Sequence, residues 1–163
     1  LNERSFWDTL EHSAQPVVAS HSCCRALCEH PRNLTDEQLR ALGAAGGVVG
    51  ITFVSFFVHD SEPSLYRLVD HIEHAIEVAG AAAVGLGSDF DGGGDLLRHG
   101  GDMPRITEAL LARGVAEDTV VGILGSNHLR LLLQTIGGSC SNDFAGRPRR
   151  VSLLCSSVFA TQF

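Results

Sequence analysis

The sequence predicts an α/β fold built on a parallel sheet. Apolar, β-branched runs typical of strands buried on both faces occur three times, in VVASHS, GVVGITFVSFF and AAVGLG. Segments with helical spacing of apolar residues lie between these runs, and such alternation is typical of βαβ units. With 163 residues, of which 44% are hydrophobic and 19% charged, the chain can bury a core.

The first helix is predicted over about residues 3–12, ahead of the first strand. Asn2 can cap this helix, and Phe6, Trp7 and Leu10 share one face at helical spacing. The VVASHS stretch then predicts a strand that ends on a histidine.

A capping box indicates where the second helix begins. Thr35 precedes Gln38 at the required spacing, and Leu39 and Leu42 supply an apolar face. Residues 47–57 form a continuous apolar run, which predicts a single buried strand.

Glycine and proline bound the remaining elements. Residues 64–80 have a helical apolar face that ends at Gly80, and AAVGLG then predicts a short strand before a glycine-rich loop. Pro104 suits the first position of a helix that Gly114 closes. One or two further helices are expected before residue 137.

Composition divides the chain into two parts. Residues 1–136 carry the α/β pattern, whereas residues 137–163 are rich in Ser, Arg and Gly and have no clean period. We expect the second part to be a divergent or poorly ordered tail, or the product of a frameshift.

Charge and cysteine usage exclude several classes of partner. The net charge of −7, without a basic stripe, argues against nucleic acid binding. No apolar run reaches the roughly 18 residues of a spanning helix, so we do not expect membrane association from this chain. An odd number of cysteines without zinc-finger spacing predicts reduced thiols and a cytoplasmic compartment. Because the chain begins at Leu1, an exported or membrane-anchored parent is the alternative. The cysteines are Cys23, Cys24, Cys28, Cys140 and Cys155.

Polar residues that could carry chemistry follow each predicted strand. His21 ends the first strand, His59 and Asp60 follow the second, and Asp89 and Asp91 follow the third. Carboxyl ends of parallel strands meet at one edge of a sheet, so this pattern suggests a metal site or an acid/base pair. Two simpler alternatives are a hydrogen-bonded structural role for His21 and a turn-forming role for Asp89.

The remaining histidines suggest no site. His71 and His74 alternate with acidic residues, which indicates a solvated helix face. The others are expected at the surface or in turns, and they are His12, His30, His99 and His128. The GSDFDGGG loop lacks the lysine and the Ser/Thr of a phosphate-binding loop.

Several segments together resemble one enzyme family over about residues 1–136. In chain order they are PVVASHS, HPRNLTDEQLRAL, GGVVGITF, VGLGSDFDG, LLARG and ILGSNHLR. They resemble the membrane dipeptidase (renal dipeptidase, peptidase M19) family of the amidohydrolase superfamily. The elements SHS, RN and GSDFDG are the most specific.

This resemblance implies a (β/α)8 TIM barrel with two zinc ions at its carboxyl face. It also implies hydrolysis of dipeptides by a zinc-activated hydroxide, which is the activity of the family. By resemblance, His21 is a metal ligand and Arg32 binds the dipeptide carboxylate. Asp89 then contacts the substrate amino group and is the candidate catalytic proton shuttle.

The resemblance also shows which family motifs have no counterpart here. A first-strand His-x-Asp, a bridging glutamate and an Asp-x-Ser-His histidine are missing. We therefore expect the carboxyl-terminal part of an incomplete barrel, which is inactive in isolation. The alternatives are a truncated barrel that acts as a binding or assembly protein, and another metal-dependent amidohydrolase. A homodimer is a family expectation only.

Overall fold

A computed structural model describes residues 3–136 of the chain. The predicted cap Asn2 and the predicted tail, residues 137–163 with Cys140 and Cys155, lie outside the described residues. The helices are α1 (Glu3–His12), α2 (Asp36–Ala44), α3 (Ser55–Val58), α4 (Leu65–Ala79), α5 (Pro104–Ala112), α6 (Glu117–Val121) and α7 (Asn127–Ile136). The strands are β1 (Val18–Ser22), β2 (Val48–Ile51) and β3 (Val84–Leu86). Short 3-10 turns occupy Ala81–Ala83 and Gly100–Asp102, and a π-helical turn at Gly122–Ser126 joins α6 to α7.

The strands form a parallel sheet in the order β1-β2-β3, which confirms the α/β prediction. Val48 pairs with Val18 on one side, and Val49 pairs with Val84 on the other. All residues of β2 are buried, as expected for the central strand of a sheet covered on both faces.

Local signals place most helix ends as predicted. The Thr35 hydroxyl accepts a hydrogen bond from the Gln38 backbone N–H, and the Gln38 side chain accepts one from the Thr35 backbone N–H. Pro104 opens α5, and Gly80 follows α4 with φ of 88°. Each of these ends depends on neighbours in sequence, so the pattern alone suffices to find it.

The single strand predicted over residues 47–57 is wrong. The strand ends at Ile51, and a short helix, α3, begins at Ser55. Asp95, from a distant loop, accepts the Ser55 backbone N–H at 2.9 Å and so caps this helix. Phe53 and Phe57 are buried in the observed structure, so an apolar run could not distinguish strand from helix here.

The predicted solvated face at His71 is also wrong, because His71 is only 1% exposed. Its Nδ1 accepts the Cys24 backbone N–H at 3.1 Å, and its Nε2 donates to the Val58 carbonyl at 2.8 Å. Burial lowers the pKa of His71, so the imidazole is held neutral. His74 is half-buried and contacts Asp36 at 2.8 Å, which joins α4 to α2.

The thiols near β1 are reduced and packed, as predicted. Cys23, Cys24 and Cys28 are buried and free. Burial raises the pKa of each, in the case of Cys24 to about 12. None of the helices described in residues 3–136 is long and apolar enough to cross a bilayer.

Candidate functional site

A bulge at the end of β1 turns His21 away from regular strand geometry. The pairing of β1 with β2 loses register between Ala19 and Ser22. The displaced Ser20 carbonyl lies over the neighbouring strand ends. A Cβ added to Gly50 would stand 2.4 Å from this oxygen, and one added to Gly87 would stand 2.0 Å from it. The end of β1 therefore reaches across β2 toward the segment that follows β3.

The ring of His21 has a partner at each nitrogen. Ser20 Oγ lies 2.8 Å from Nδ1, and Arg32 Nη2 lies 2.6 Å from Nε2. A guanidinium can only donate, so Nε2 accepts and Nδ1 of the neutral ring donates to Ser20. The residue between two hydroxyls in SHS is thus held in one tautomer by the serine before it.

Arg32 stands on a loop that is fixed to the end of β1. The Ser22 hydroxyl donates to the Arg32 carbonyl at 2.6 Å, and Cys24 pairs with Leu34 as an isolated parallel bridge. The guanidinium carbon lies 5.0 Å from the centroid of the Phe57 ring, within cation–π range. We call residues 25–34 the Arg32 loop.

His21 and Arg32 line a cavity of about 200 Å³ whose wall is partly polar and partly apolar. Arg25 also lines this cavity, and its Nε is buried without a hydrogen-bond partner among the described residues. Two guanidinium groups in one small cavity favour an anionic ligand. The other polar side chains that line the cavity are Glu3, Ser20, Ser22, Asn33 and Gln38.

Asp89 adopts the left-handed conformation, with φ of 57°, after β3. Its carbonyl accepts the backbone N–H groups of Gly92, Gly93 and Gly94 at 2.6–3.1 Å. A Cβ on Gly92 would stand 2.2 Å from Asp89 Oδ1, so a larger residue at position 92 would push the carboxylate aside. Asp89 is half-buried and forms a turn, as the simpler alternative predicted.

The three predicted site residues fall into two groups. His21 and Arg32 are in direct contact, whereas Asp89 is not among the residues that line their cavity. The link between the two groups is the Ser20 carbonyl, next to His21. This carbonyl lies against Gly87, which is two residues before Asp89. Sequence reasoning missed this role of Gly50 and Gly87, since a bulge leaves no spacing pattern of its own.

Sequence reasoning also missed the contact that anchors the Asp89 loop. Asp95 binds the Ser55 backbone N–H, and Leu96 N–H donates to the Phe53 carbonyl at 3.0 Å. The hydrogen bonds from Ser55 lower the pKa of Asp95, so this anchor is a carboxylate at neutral pH.

Two histidines near the site, His59 and His30, have structural contacts. His59 Nδ1 accepts the backbone N–H of Glu62 at 3.0 Å and that of Ser61 at 3.3 Å, so it stabilises a turn after α3. The His30 ring stacks on Phe57 at a centroid distance of 4.3 Å. Partial burial and the nearby charge of Arg32 lower the pKa of His30.

The described residues offer few ligands for a metal ion. Residues 3–136 contain no group of three or more His, Cys, Asp and Glu side chains that could hold an ion. His21 offers one neutral imidazole at a strand end, which suits a single ligand position. A complete metal site would therefore need ligands from outside residues 3–136.

Comparison with known proteins identifies the family. The model of the membrane dipeptidases, peptidase family M19, matches residues 1–139. An uncharacterised protein from the region 5′ of pqqA in Klebsiella pneumoniae is 43% identical over 139 residues, covering 81% of this chain and 51% of that protein. Dipeptidase verJ of Clonostachys rogersoniana is 38% identical over 125 residues, covering 74% of this chain and 32% of its own length.

Solved structures of metallopeptidases, one of them described as a member of family M19, superpose on this chain. A metallopeptidase from Rhodobacter sphaeroides, bound to a phosphinate mimic of the dipeptide L-Ala-D-Ala, superposes with a TM-score of 0.77 at 33% identity. The match covers 83% of this chain and 40% of that one. The dipeptidase AC, a metallopeptidase of family M19, superposes with a TM-score of 0.78 at 33% identity, over 84% of this chain and 43% of its own.

The chain thus spans about half, or less, of the length of these relatives. The match nevertheless includes the segments that carry His21, Arg32 and Asp89. A family model that matches 139 of 163 residues leaves one conclusion about descent: the chain belongs to peptidase family M19, the membrane dipeptidases.

Proposed function

We propose that this chain is the carboxyl-terminal part of a zinc-dependent dipeptidase and supplies its carboxylate-binding arginine. The observation that carries the proposal is that Arg32 and His21 meet in one cavity at a strand end. Membership of family M19 supports dipeptides as the substrate class.

We propose a (β/α)8 TIM barrel as the complete fold. Within residues 3–136, β1 and β3 are edge strands, and Val18 on β1 is 43% exposed although it is apolar. Such an edge favours pairing with a further strand. The reach of the Ser20 carbonyl over Gly87 also supports a curled sheet.

In this proposal Arg32 binds the carboxylate of the dipeptide. Its Nη2 bonds to His21, while Nε and Nη1 have no hydrogen-bond partner among the described residues. A planar guanidinium presents several donors in a fixed fork, which suits a two-point contact with a carboxylate. The Phe57 ring, 5.0 Å from the guanidinium carbon, favours this position of the fork.

His21 is the zinc ligand that we assign to this chain, and the other ligands come from outside residues 3–136. Bound zinc would supply a Lewis acid and lower the pKa of a bound water. Ser20 keeps the proton of the neutral ring on Nδ1, so the lone pair is on Nε2, where it accepts the Arg32 N–H. That N–H would give way to zinc, and the Arg32 fork would then turn from His21 to the substrate carboxylate.

Asp89 is the proton carrier in this proposal. The turn fixed by the three glycine N–H groups holds its backbone, and Gly92 leaves space for its carboxylate. Asp89 would accept a proton from the attacking water on one carboxylate oxygen and would pass it to the amine nitrogen as the peptide C–N bond breaks.

A chimera tests the proposal. Residues 1–136 replace the matching part of the dipeptidase AC, and hydrolysis of L-Ala-D-Ala is measured with zinc present. We expect turnover, with KM raised by at least about tenfold in Arg32→Ala because a charged contact is lost. Exposed Arg105, which is 57% accessible and contacts Asp102, gives the control Arg105→Ala, with KM unchanged.

Zinc content gives a second readout on the same chimera. His21→Ala should lower the bound zinc per protein, because a ligand is removed. Unchanged zinc in His21→Ala would rule out the ligand assignment. A folded chimera that binds L-Ala-D-Ala without hydrolysing it would instead support a binding protein.

A further inference from the structure

We propose that Asn33 is a positioning residue that holds the Arg32 guanidinium where a substrate carboxylate would meet it. This inference rests on the proposed function, because it takes Arg32 as the carboxylate-binding group. Asn33 is only 1% exposed, although its neighbour Arg32 lies at the surface. An amide buried so completely next to an exposed cation has a structural task.

The Asn33 side chain makes three hydrogen bonds, all with backbone groups. Its Oδ1 accepts the Cys23 N–H at 3.1 Å. Its Nδ2 donates to the Cys28 carbonyl at 3.0 Å and to the Phe57 carbonyl at 2.8 Å. The amide thereby uses three of its four hydrogen-bonding positions.

These bonds join the three segments that determine where Arg32 stands. Cys23 lies two residues after His21. The Nε2 atom of His21 accepts a hydrogen bond from Arg32 Nη2. Phe57 carries the ring that lies 5.0 Å from the Arg32 guanidinium carbon. Asn33 therefore ties the backbone of Arg32 both to the strand end that carries its hydrogen-bond partner and to the helix that carries its aromatic platform.

The physical benefit is preorganisation. An arginine side chain loses rotamer freedom when it is ordered, and a site that orders it beforehand avoids that cost on binding. An aspartate at position 33 keeps the shape but places an oxygen against the Cys28 and Phe57 carbonyls, which have no proton to share. The Asn33→Asp variant should therefore release the Arg32 loop from α3.

A second buried amide provides the matched control. Asn127 is 9% exposed, and its Nδ2 donates to the Ala81 carbonyl at 2.8 Å and the Val84 carbonyl at 2.7 Å. Asn127→Asp removes two hydrogen bonds from a side-chain amide N–H to backbone carbonyls, as Asn33→Asp does, but it removes them between α7 and the sheet. It should destabilise the fold to a similar degree without disturbing Arg32.

The first measurement uses ¹⁵N-labelled 163-residue chain and the side-chain NMR signals of Arg32. The Phe57 ring shifts the guanidinium protons by its ring current, and Phe57→Leu gives the position of these signals without a ring. We expect Asn33→Asp to move the Arg32 signals to the Phe57→Leu position. Asn127→Asp should leave them at the wild-type position.

The second measurement is titration with L-Ala-D-Ala, with L-Ala-D-alaninamide as the probe that lacks the carboxylate. We expect Asn33→Asp to raise the Kd for the acid by about tenfold to a hundredfold, as for a displaced positioning group. If wild-type chain does not discriminate acid from amide, the carboxylate role of Arg32 in the proposed function fails. The NMR signals still decide whether Asn33 places Arg32.

Two results would overturn the inference. One is an Asn33→Asp variant whose Arg32 signals remain at the wild-type position. If that variant does not fold, Asn33→Ser, which replaces the amide with a single shorter hydroxyl group, is measured in the same way. The other is failure of both Asn33 variants to fold while Asn127→Asp folds, because Asn33 would then hold the whole domain and not Arg32 in particular.

Discussion

Replacing Gly87 with alanine tests whether the Ser20 bulge controls the shape of the site. A Cβ at this position would stand 2.0 Å from the Ser20 oxygen and 3.0 Å from the Gly50 oxygen. Carbon and oxygen approach to about 3.3 Å in ordinary close contacts, so Ser20 must move by more than about 1 Å. The blocking atoms belong to backbone, which cannot rotate away as a side chain can.

Overpacking of this kind costs typically about 1–3 kcal/mol, and we expect the upper part of this range. Gly100→Ala is the control, because nothing lies within 4 Å of its added Cβ. That substitution should be neutral or should stabilise by up to about 1 kcal/mol through the unfolded state. Gly85→Ala should be intermediate, since its Cβ would meet the His128 ring at 2.2 Å and a ring can turn.

The assay is urea unfolding of the three variants and wild type, with the His21 ring signals followed by NMR. Gly87→Ala should lower the free energy of unfolding and shift the His21 signals, because His21 follows Ser20 directly. Should Gly87→Ala prove as stable as Gly100→Ala with the His21 signals unmoved, the close approach of the Ser20 carbonyl to Gly87 does not control the position of His21.

Three further outcomes are expected from contacts elsewhere in the described residues. Burial lowers the pKa of His71 below its value in the unfolded chain. The free energy of unfolding should therefore be highest above about pH 6.5 and should fall as the pH drops toward the folded-state pKa. In urea titrations at a series of pH values, His71→Gln should reduce this pH dependence. Thr35→Ala should cost about 1 kcal/mol in the same assay, because the capping box is lost. Arg113 binds Asp70 and Glu73 at 2.6 Å in a partly exposed network, so Arg113→Ala should cost below about 1 kcal/mol, and a loss unaffected by 1 M salt would contradict the ion-pair explanation.

The sequence predicted those features whose causes are local. The Thr35 cap, the Pro104 start and the amphipathic helix over Leu65–Ala79 depend on residues a few positions apart. The parallel sheet followed from the alternation of elements. His21 and Arg32 were expected in one site by resemblance, and they lie in contact.

Features with distant causes were missed. The strand ends at Ile51, and α3 begins at Ser55, whose backbone N–H donates to Asp95 some forty residues later. No local pattern contains that pair. His71 was assigned to solvent because its neighbours are acidic, yet its partners are the backbone of Cys24 and Val58. Tertiary contacts of this kind override local patterns, and only coordinates reveal them.

The rate at which the buried thiols react with an alkylating reagent can report local opening of the Arg32 loop. Cys23, Cys24 and Cys28 flank the loop or lie within it, and burial leaves almost no thiolate at neutral pH. An alkylating reagent can therefore reach them only when this part of the chain opens. The rate at which each thiol is modified, resolved by peptide mass, would report the opening free energy of the segment between His21 and Asn33 separately from that of the whole fold.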